Sequence, residues 1–249
     1  MAAGPFDPVA HGWLEPDWPA PPNVRACVTT RTGGHSTAPY HSFNLGQHVG
    51  DDPQAVAHNR TRLTQVLGCT PGWLSQVHGT AVVESTPGEV LEADAAWSTT
   101  PGIAAAVMTA DCLPVVFCDR AGTRVAAAHA GWRGLANGVL EATIASFEIE
   151  PGELLAWMGP AIGSDAFEVG PEVREAFMKT HSRSAEAFRP SPNDGKYLAD
   201  IYQLARIRLE AANIGWVGGG GFCTVSDDRF YSYRQANPTG RFASLIWLT

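Results

Sequence analysis

Hydrophobic and polar positions follow two different periods along this chain, and together they predict both strands and helices. Residues 24–30 alternate and are rich in β-branched side chains, which predicts a strand. Asp52 followed by Pro53 is typical of a helix start, because an acidic N-cap precedes a proline in the first turn. That helix should run to about Leu67 and end at Gly68.

Short apolar runs rich in alanine and valine predict buried strands in the middle of the chain. They cover residues 103–108, 115–118, 124–128 and 154–158. Further strands are predicted at residues 73–77, 81–84, 230–233 and 242–248, and helices at residues 135–147, 171–179 and 200–213. The polar residues 182–195 predict a surface loop, and the four glycines at 218–221 predict a break.

Strands and helices intermix without a regular βαβ period, and the chain shows no repeat. This arrangement predicts an α/β (α+β) fold: one domain with a mixed β-sheet and flanking helices, and not a doubly wound fold. The proline-rich residues 1–23 should form an extended lead-in, and residues 24–249 the single domain.

Composition narrows the class of protein. The 249 residues are 45% hydrophobic and 17% charged, which indicates a globular chain. No apolar run reaches the roughly 18 residues of a membrane span, and the start of the chain does not resemble a signal peptide. A formal net charge of −8 without a basic stripe argues against nucleic-acid binding. Five scattered cysteines favour reduced thiols, so a cytoplasmic location is expected.

Three segments carry candidate chemistry: Gln-Val-His-Gly around His78, Ala-Asp-Cys around Cys112, and His-Ala-Gly-Trp-Arg-Gly beginning at His129. Two imidazoles and one thiolate are the three-ligand set of a catalytic zinc site, which leaves the fourth position open. The long spacings exclude a zinc finger, whose ligands come in close pairs. Taken singly, each histidine could instead be a structural core residue, and Cys112 could be a buried small hydrophobe, which is the commonest state of a free thiol.

Several polar residues beside glycines are candidate contacts for an anion. Arg133 lies next to glycine amides that should sit near a helix start, and a guanidinium can grip phosphate with two hydrogen bonds. Arg31 and Asn44 also lie near glycines, and Arg234 follows Tyr-Ser-Tyr at 231–233. Ser42 belongs to the same predicted substrate and phosphate set. The alternative is that these side chains tie loops to backbone carbonyls. Asp111 could orient an imidazole, shuttle protons or cap a turn.

The motifs, taken in order, resemble a known family. They are the glycine-rich segment at residues 30–36, Phe-Asn-Leu-Gly at 43–46, Asn-Arg at 59–60, Gln-Val-His-Gly at 76–79, Thr-Ala-Asp-Cys at 109–112, His-Ala-Gly-Trp-Arg-Gly at 129–134, Gly-Pro-Ala-Ile-Gly at 159–163, Cys-Thr at 223–224 and Tyr-Ser-Tyr-Arg at 231–234. This set is similar to the YfiH-like family, also called the laccase-domain, multicopper polyphenol oxidase or peptidoglycan editing factor family. Phe167 and Gln235 depart from its pattern, which commonly has tyrosine and a second arginine there.

The resemblance implies a zinc-dependent purine nucleoside phosphorylase that converts adenosine, inosine, guanosine or methylthioadenosine with phosphate to the base and ribose-1-phosphate. It also implies adenosine deaminase activity. The family's metal ligands correspond to His78, Cys112 and His129, and Asp111 joins them as a catalytic candidate. The implied fold is similar to the cysteine hydrolase fold of the cytotoxic necrotizing factor toxins, and the expected state is a monomer or weak homodimer.

Three other functions stay open at this stage. Copper-dependent polyphenol oxidation (laccase activity) is less favoured, because the eight histidines contain no His-x-His pair, although a Cys/His/His set also binds copper. A Cys–His hydrolase that edits peptidoglycan precursors would use Cys112 as nucleophile and His129 as base. A non-catalytic binding module would bind zinc without turnover.

Overall fold

The computed structural model describes residues 7–249, so the first six residues of the predicted lead-in lie outside the described residues. In the described part of this segment, Val9–His11 forms a 3-10 turn. Leu14 then pairs with Val28, and the Trp13 side chain is buried. The segment is therefore packed against the rest of the chain through at least one aromatic side chain.

Fifteen strands are found within residues 7–249. In chain order they are β1 (Val24–Val28), β2 (Thr70–Gly72), β3 (Leu74–Ser75), β4 (Val82–Glu84), β5 (Leu91–Glu92), β6 (Ala95–Ser98), β7 (Ile103–Thr109), β8 (Leu113–Asp119), β9 (Val125–Ala130), β10 (Leu154–Met158), β11 (Glu168–Val169), β12 (Phe188–Pro190), β13 (Tyr197–Ala199), β14 (Trp216–Gly219) and β15 (Phe242–Leu248). The α-helices of the same residues are α1 (Pro53–Leu67), α2 (Trp132–Asn137), α3 (Val139–Ala145), α4 (Pro171–Met178) and α5 (Ile201–Ala211).

Two mixed sheets form the body of the protein. One has the strand order β1-β15-β7-β2, and the other has the order β14-β10-β8-β9-β6-β4. Most neighbours are antiparallel, while β2 with β7, β10 with β14, and β4 with β6 are parallel. Two smaller sheets, β11-β13-β12 and β3-β5, lie beside them. The predicted mixed α/β fold is confirmed.

The two large sheets pack face to face, with α1 on one outer face and the helices α2 to α5 on the other, which gives four layers. In β7, Ala105 and Val107 join a core cluster between the two large sheets, while Ala104, Ala106 and Met108 face α1. In β8, Leu113, Val115 and Phe117 pack instead against a cluster that includes residues of the helices α2 to α5. Because successive strand side chains point to opposite faces, a strand buried on both sides reads as a continuous apolar run.

Local signals set several boundaries as predicted. Helix α1 begins after Asp52, whose side chain accepts a hydrogen bond from the Gln54 backbone N–H. It ends at Gly68, which has a left-handed φ of 66°. Strands β10 and β15 span the predicted ranges.

Several sequence-based predictions are wrong. Gly218 and Gly219 of the predicted break form the end of strand β14, and the strand predicted at 73–77 is limited to β3. Residues 182–195 are not a plain loop, because they contain the 3-10 turn Ser182–Ala187 and strand β12. Residues 230–233 lie in a turn region and not in a strand. The predicted helix at 135–147 begins earlier, at Trp132, and is divided at Gly138, whose φ of 104° interrupts the helical backbone. No helix in the described part of the chain is long and apolar enough to cross a membrane.

Candidate metal centre

His129 is the most buried of the three candidate ligands. It lies near the end of β9 and is only 3% exposed. Its Nδ1 is 2.7 Å from Oδ1 of Asp94. A carboxylate accepts but does not donate, so the imidazole donates from Nδ1 and its Nε2 is left free to bind a metal.

His78 follows strand β3 in a turn with a left-handed backbone, at φ 63°. Its side chain is exposed, and its Nε2 lies 3.7 Å from Sγ of Cys112. The left-handed region is unusual for a residue with a Cβ atom, and such strain persists only where the surroundings fix it. The turn thus directs the imidazole toward Cys112.

Cys112 lies in the short connection between β7 and β8, directly after Asp111. Burial by itself raises the pKa of the Cys112 thiol, but the neighbouring His129 and His78 hold that pKa below its ordinary value. Burial lowers the pKa of His129, but the neighbouring Cys112 and the hydrogen bond to Asp94 raise that pKa above its ordinary value. In the metal-free protein Cys112 and His129 therefore each favour the charged form of the other.

The donor atoms of His78, Cys112 and His129 all lie within 4.8 Å of one another. One thiolate and two imidazoles fit zinc, and three protein ligands leave a coordination position for a further group. The backbone leaves little room here: a Cβ atom added at Gly131 would lie 2.6 Å from Cδ2 of His78 and 3.1 Å from Sγ of Cys112. The residues present therefore fit a metal ion.

Asp94 is a site residue that the sequence reasoning missed. It precedes β6 and is fully buried. Burial raises the pKa of Asp94, but hydrogen bonds from His129 and from the backbone N–H groups of Gly79 and His78 bring the pKa below its ordinary value. One signal was present in the sequence, because Asp94 is a lone acidic residue within the apolar run of residues 93–97.

Asp111 lies beside the cluster, but its carboxylate points to two loops. Oδ1 accepts a hydrogen bond from the Thr224 hydroxyl at 2.6 Å, and Oδ2 accepts one from the Arg234 backbone N–H at 2.6 Å. Asp111 has a left-handed φ of 86°. This residue therefore connects the Thr224 and Arg234 loops to the segment that carries Cys112.

The cluster opens into a cavity of about 370 Å³. Its apolar and aromatic walls are formed by Met108, Trp132, Ile162, Phe167, Ile201 and Tyr233. This volume lies within the range of small-molecule sites, which combine apolar walls with a few polar groups.

Cationic side chains surround the same cavity, although the chain as a whole carries a net charge of −8. Arg133 lies over the Trp132 ring at 4.4 Å. Arg234 donates to the carbonyl oxygens of Ala166 and Glu168. Arg241 is held by the carbonyls of residues 239 and 240, and burial lowers its pKa from the ordinary value. A local excess of positive charge favours an anionic ligand.

His48 and Arg241 line the cavity and had no place among the sequence-based candidates. Burial lowers the pKa of His48, and the charges of Arg241 and Arg60 lower it further. Both effects disfavour the charged form of the His48 imidazole, which lies beside the Arg241 cation.

Three predicted substrate residues lie outside the cavity lining. Arg31 contacts the carbonyl oxygen and ring of His41 and lies over the Tyr231 ring. Ser42 accepts a hydrogen bond from the Gly34 backbone N–H. Asn44 is fully buried and accepts one from the Arg241 backbone N–H at 2.8 Å. Asn44 thus supports a cavity residue from behind.

The chain matches known proteins over nearly its whole length. A family model described as multi-copper polyphenol oxidoreductase laccase matches residues 25–249. A purine nucleoside phosphorylase of Pseudomonas aeruginosa is 64% identical over 239 residues, covering 96% of this chain and 99% of that protein. The purine nucleoside phosphorylase YfiH of Escherichia coli is 55% identical, covering 94% and 98%. The crystal structure of the Neisseria meningitidis protein NMB0706 has a TM-score of 0.92 at 53% identity, covering 95% and 98%.

Proposed function

The chain belongs to the family described as multi-copper polyphenol oxidoreductase laccase, and from this premise we propose that it is a zinc-dependent purine nucleoside phosphorylase. The observation that carries the proposal is a three-ligand cluster at a cavity that combines aromatic walls with cationic side chains. Relatives that are named purine nucleoside phosphorylase and share 55% to 64% of their residues support it.

His78, Cys112 and His129 would hold the zinc ion. A zinc ion supplies Lewis acidity, which stabilises negative charge that develops on a reacting group. We favour zinc over copper because a multicopper oxidase needs several copper sites, whereas residues 7–249 contain one group of ligands of this kind. Copper stays the second candidate metal, because divalent copper binds such donors tightly.

Phosphate is the anion that we assign to the cationic side of the cavity. In phosphorolysis the bond between the purine and C1′ of the ribose breaks, and a phosphate oxygen forms the new bond to C1′. Arg133, Arg234 and Arg241 supply guanidinium donors there, and such donors bind phosphate oxygens in pairs. By fixing the phosphate beside the ribose they lower the entropic cost of the reaction.

The purine fits the apolar side of the cavity. Trp132, Phe167 and Tyr233 offer ring faces, and a purine is a flat aromatic ring system that packs well against them. Phe167 carries no hydroxyl, so this position contributes packing and no hydrogen bond. The proposed substrates are adenosine, inosine, guanosine and methylthioadenosine, with adenosine deamination as a second reaction of the same cavity.

The test is to incubate protein of measured zinc content with adenosine, with and without phosphate, and to separate the products by chromatography. We expect adenine and ribose-1-phosphate only when phosphate is present, and loss of both on chelation or in Cys112→Ala. Cys223→Ala is the control, because Cys223 lies outside the cavity lining. Inosine formed without phosphate would support the deaminase activity, and zinc-loaded protein without any turnover would refute the nucleoside proposal.

A Cys–His hydrolase is the second candidate function, and the low pKa of Cys112 beside His129 favours it. It predicts hydrolysis of peptidoglycan precursors that persists after metal removal and is lost on alkylation of Cys112. Phosphorolysis that depends on zinc would leave this candidate without support.

The remaining proposals concern location and partners. We propose a cytoplasmic enzyme, since all five cysteines are free thiols, as expected in a reducing compartment. Nucleosides and phosphate are its proposed partners, with no nucleic acid. A monomer or weak homodimer stays a prediction.

A further inference from the structure

Asp94 makes four side-chain hydrogen bonds, and all four donors belong to the segments of the two histidine ligands. Its Oδ1 accepts from Nδ1 of His129 at 2.7 Å and from the backbone N–H of His78 at 2.9 Å. Its Oδ2 accepts from the backbone N–H groups of Gly79 at 2.6 Å and Val77 at 3.2 Å. Each carboxylate oxygen therefore accepts two hydrogen bonds.

The left-handed backbone conformation of His78 depends on these hydrogen bonds to Asp94. Three consecutive N–H groups, from Val77 to Gly79, point at one carboxylate, and His78 between them has φ 63°. A left-handed backbone is unfavourable for a residue with a Cβ atom and persists where its surroundings fix it. The hydrogen bonds from the three N–H groups supply that constraint.

The His129 ring depends on the same carboxylate for its tautomer. With Nδ1–H bonded to Asp94, the neutral ring has its lone pair on Nε2. The backbone joins the two residues as well, because the His129 N–H donates to the Asp94 carbonyl oxygen at 2.7 Å. Both the position and the protonation of this ligand are thereby tied to one neighbour.

We infer that Asp94 is the positioning residue of the metal centre, and that its carboxylate orients both histidine ligands, His129 through its ring and His78 through its backbone. This inference rests on the proposed function, because it takes the three-residue cluster as a metal site. Partners that orient metal-bound histidines are worth about 10- to 100-fold in metal affinity.

Asparagine at this position tests the inference, because it keeps the shape of Asp94 but replaces one acceptor oxygen with an NH₂ group. If the NH₂ group faces Val77 and Gly79, it opposes two N–H donors. If it faces His129, it opposes the His78 N–H and favours the His129 tautomer with hydrogen on Nε2. That protonated nitrogen cannot bind a metal ion. Either orientation disturbs at least one ligand segment.

Asp119→Asn is the matched control. Asp119 is also a buried aspartate, 4% exposed, that accepts from the backbone N–H groups of Thr123 and Arg124. It does not line the cavity. Replacing it removes the same chemical group from another turn, so it reports what a general loss of stability does to metal binding.

The experiment measures zinc affinity by competition with a chelator and records the absorption of the cobalt-substituted proteins. We expect Asp94→Asn to bind zinc about 10- to 100-fold more weakly, with an altered cobalt spectrum. Asp119→Asn should bind zinc within about twofold of the wild type. Wild-type affinity and spectrum in Asp94→Asn, or equal weakening in both variants, would overturn the inference.

A measurement on the wild type decides the matter if Asp94→Asn does not fold. Nitrogen NMR of the zinc-loaded protein should show His129 protonated at Nδ1 and metal-bound at Nε2; the opposite tautomer would overturn the inference. Neither readout requires turnover. If the wild type binds no zinc, the proposed metal centre fails, whereas wild-type zinc binding with an unaffected Asp94→Asn defeats only the role of Asp94.

Discussion

Replacing Gly131 with alanine adds one methyl group at the point where the backbone passes closest to the candidate ligands. The backbone of Gly131 has φ −59° and ψ 155°, which any residue adopts, so alanine causes no backbone strain. The new Cβ atom would lie 2.6 Å from Cδ2 of His78 and 3.1 Å from Sγ of Cys112. The substitution therefore acts on the site more than on the fold.

The geometry gives the size of the effect. Non-bonded carbon atoms rest at about 3.5–4.0 Å, so the His78 ring must move by roughly 1 Å to relieve the contact. Metal–ligand distances tolerate only about 0.2 Å. His78 is exposed and free to swing outward, so the fold should accept the change while one ligand leaves its place. We expect zinc affinity and kcat/KM for phosphorolysis to fall about 100-fold.

The assay combines chelator competition for zinc, chromatography of adenosine phosphorolysis and thermal unfolding. Gly152→Ala is the control, because a Cβ atom there meets nothing within 4 Å. Loss of a glycine N-cap at Gly131 should lower the free energy of unfolding by about 1 kcal/mol or less. Wild-type zinc affinity and activity in Gly131→Ala would refute the idea that the backbone at Gly131 confines the ligands.

Three further predictions follow from the same contacts. Arg133→Ala should raise the KM for phosphate about tenfold without changing zinc content, because one charged donor is lost. Arg31→Ala should leave this KM within about twofold, because Arg31 lies outside the cavity. Equal effects of the two substitutions in steady-state kinetics would contradict this prediction. Asn59→Ala should lower the free energy of unfolding by about 3 kcal/mol in urea titrations, because this buried amide bonds to residues 35, 36, 42 and 44; the exposed Gln54→Ala is its control. In metal-free protein the alkylation rate of Cys112 should change little between about pH 7.5 and 9, because its lowered pKa keeps it a thiolate there, whereas an ordinary thiol gains about eightfold.

Local sequence signals predicted elements whose determinants lie within a few residues. Asp52, Pro53 and Gly68 fixed both ends of α1 through a side-chain cap, a proline in the first turn and a left-handed glycine. Strands β10 and β15 were found because both faces of each are buried, which leaves a continuous apolar run. These interactions need no information about distant parts of the chain.

The apolar pattern gave a wrong prediction where residues are buried without being paired in a β-sheet. Residues 230–233 are rich in aromatic side chains, as strands often are, but Tyr231 is buried outside any strand, and its hydroxyl donates to the Tyr40 carbonyl oxygen at 2.7 Å. An apolar pattern reports burial and not hydrogen-bond partners, so turn and strand cannot be separated from it.

The candidate ligands could be predicted because only a few residue types bind zinc and because those three lie in distinctive motifs. The sequence by itself thus identified His78, Cys112 and His129 as the members of the candidate ligand cluster, together with the main helices and buried strands. Asp94 could not be assigned, since its partners lie 16 and 35 residues away. Only the tertiary structure decided that Arg241 faces the cavity while Arg31 lies outside it. The physical reason is that a site is formed by long-range packing of strand ends and loops, whereas sequence patterns record interactions between near neighbours.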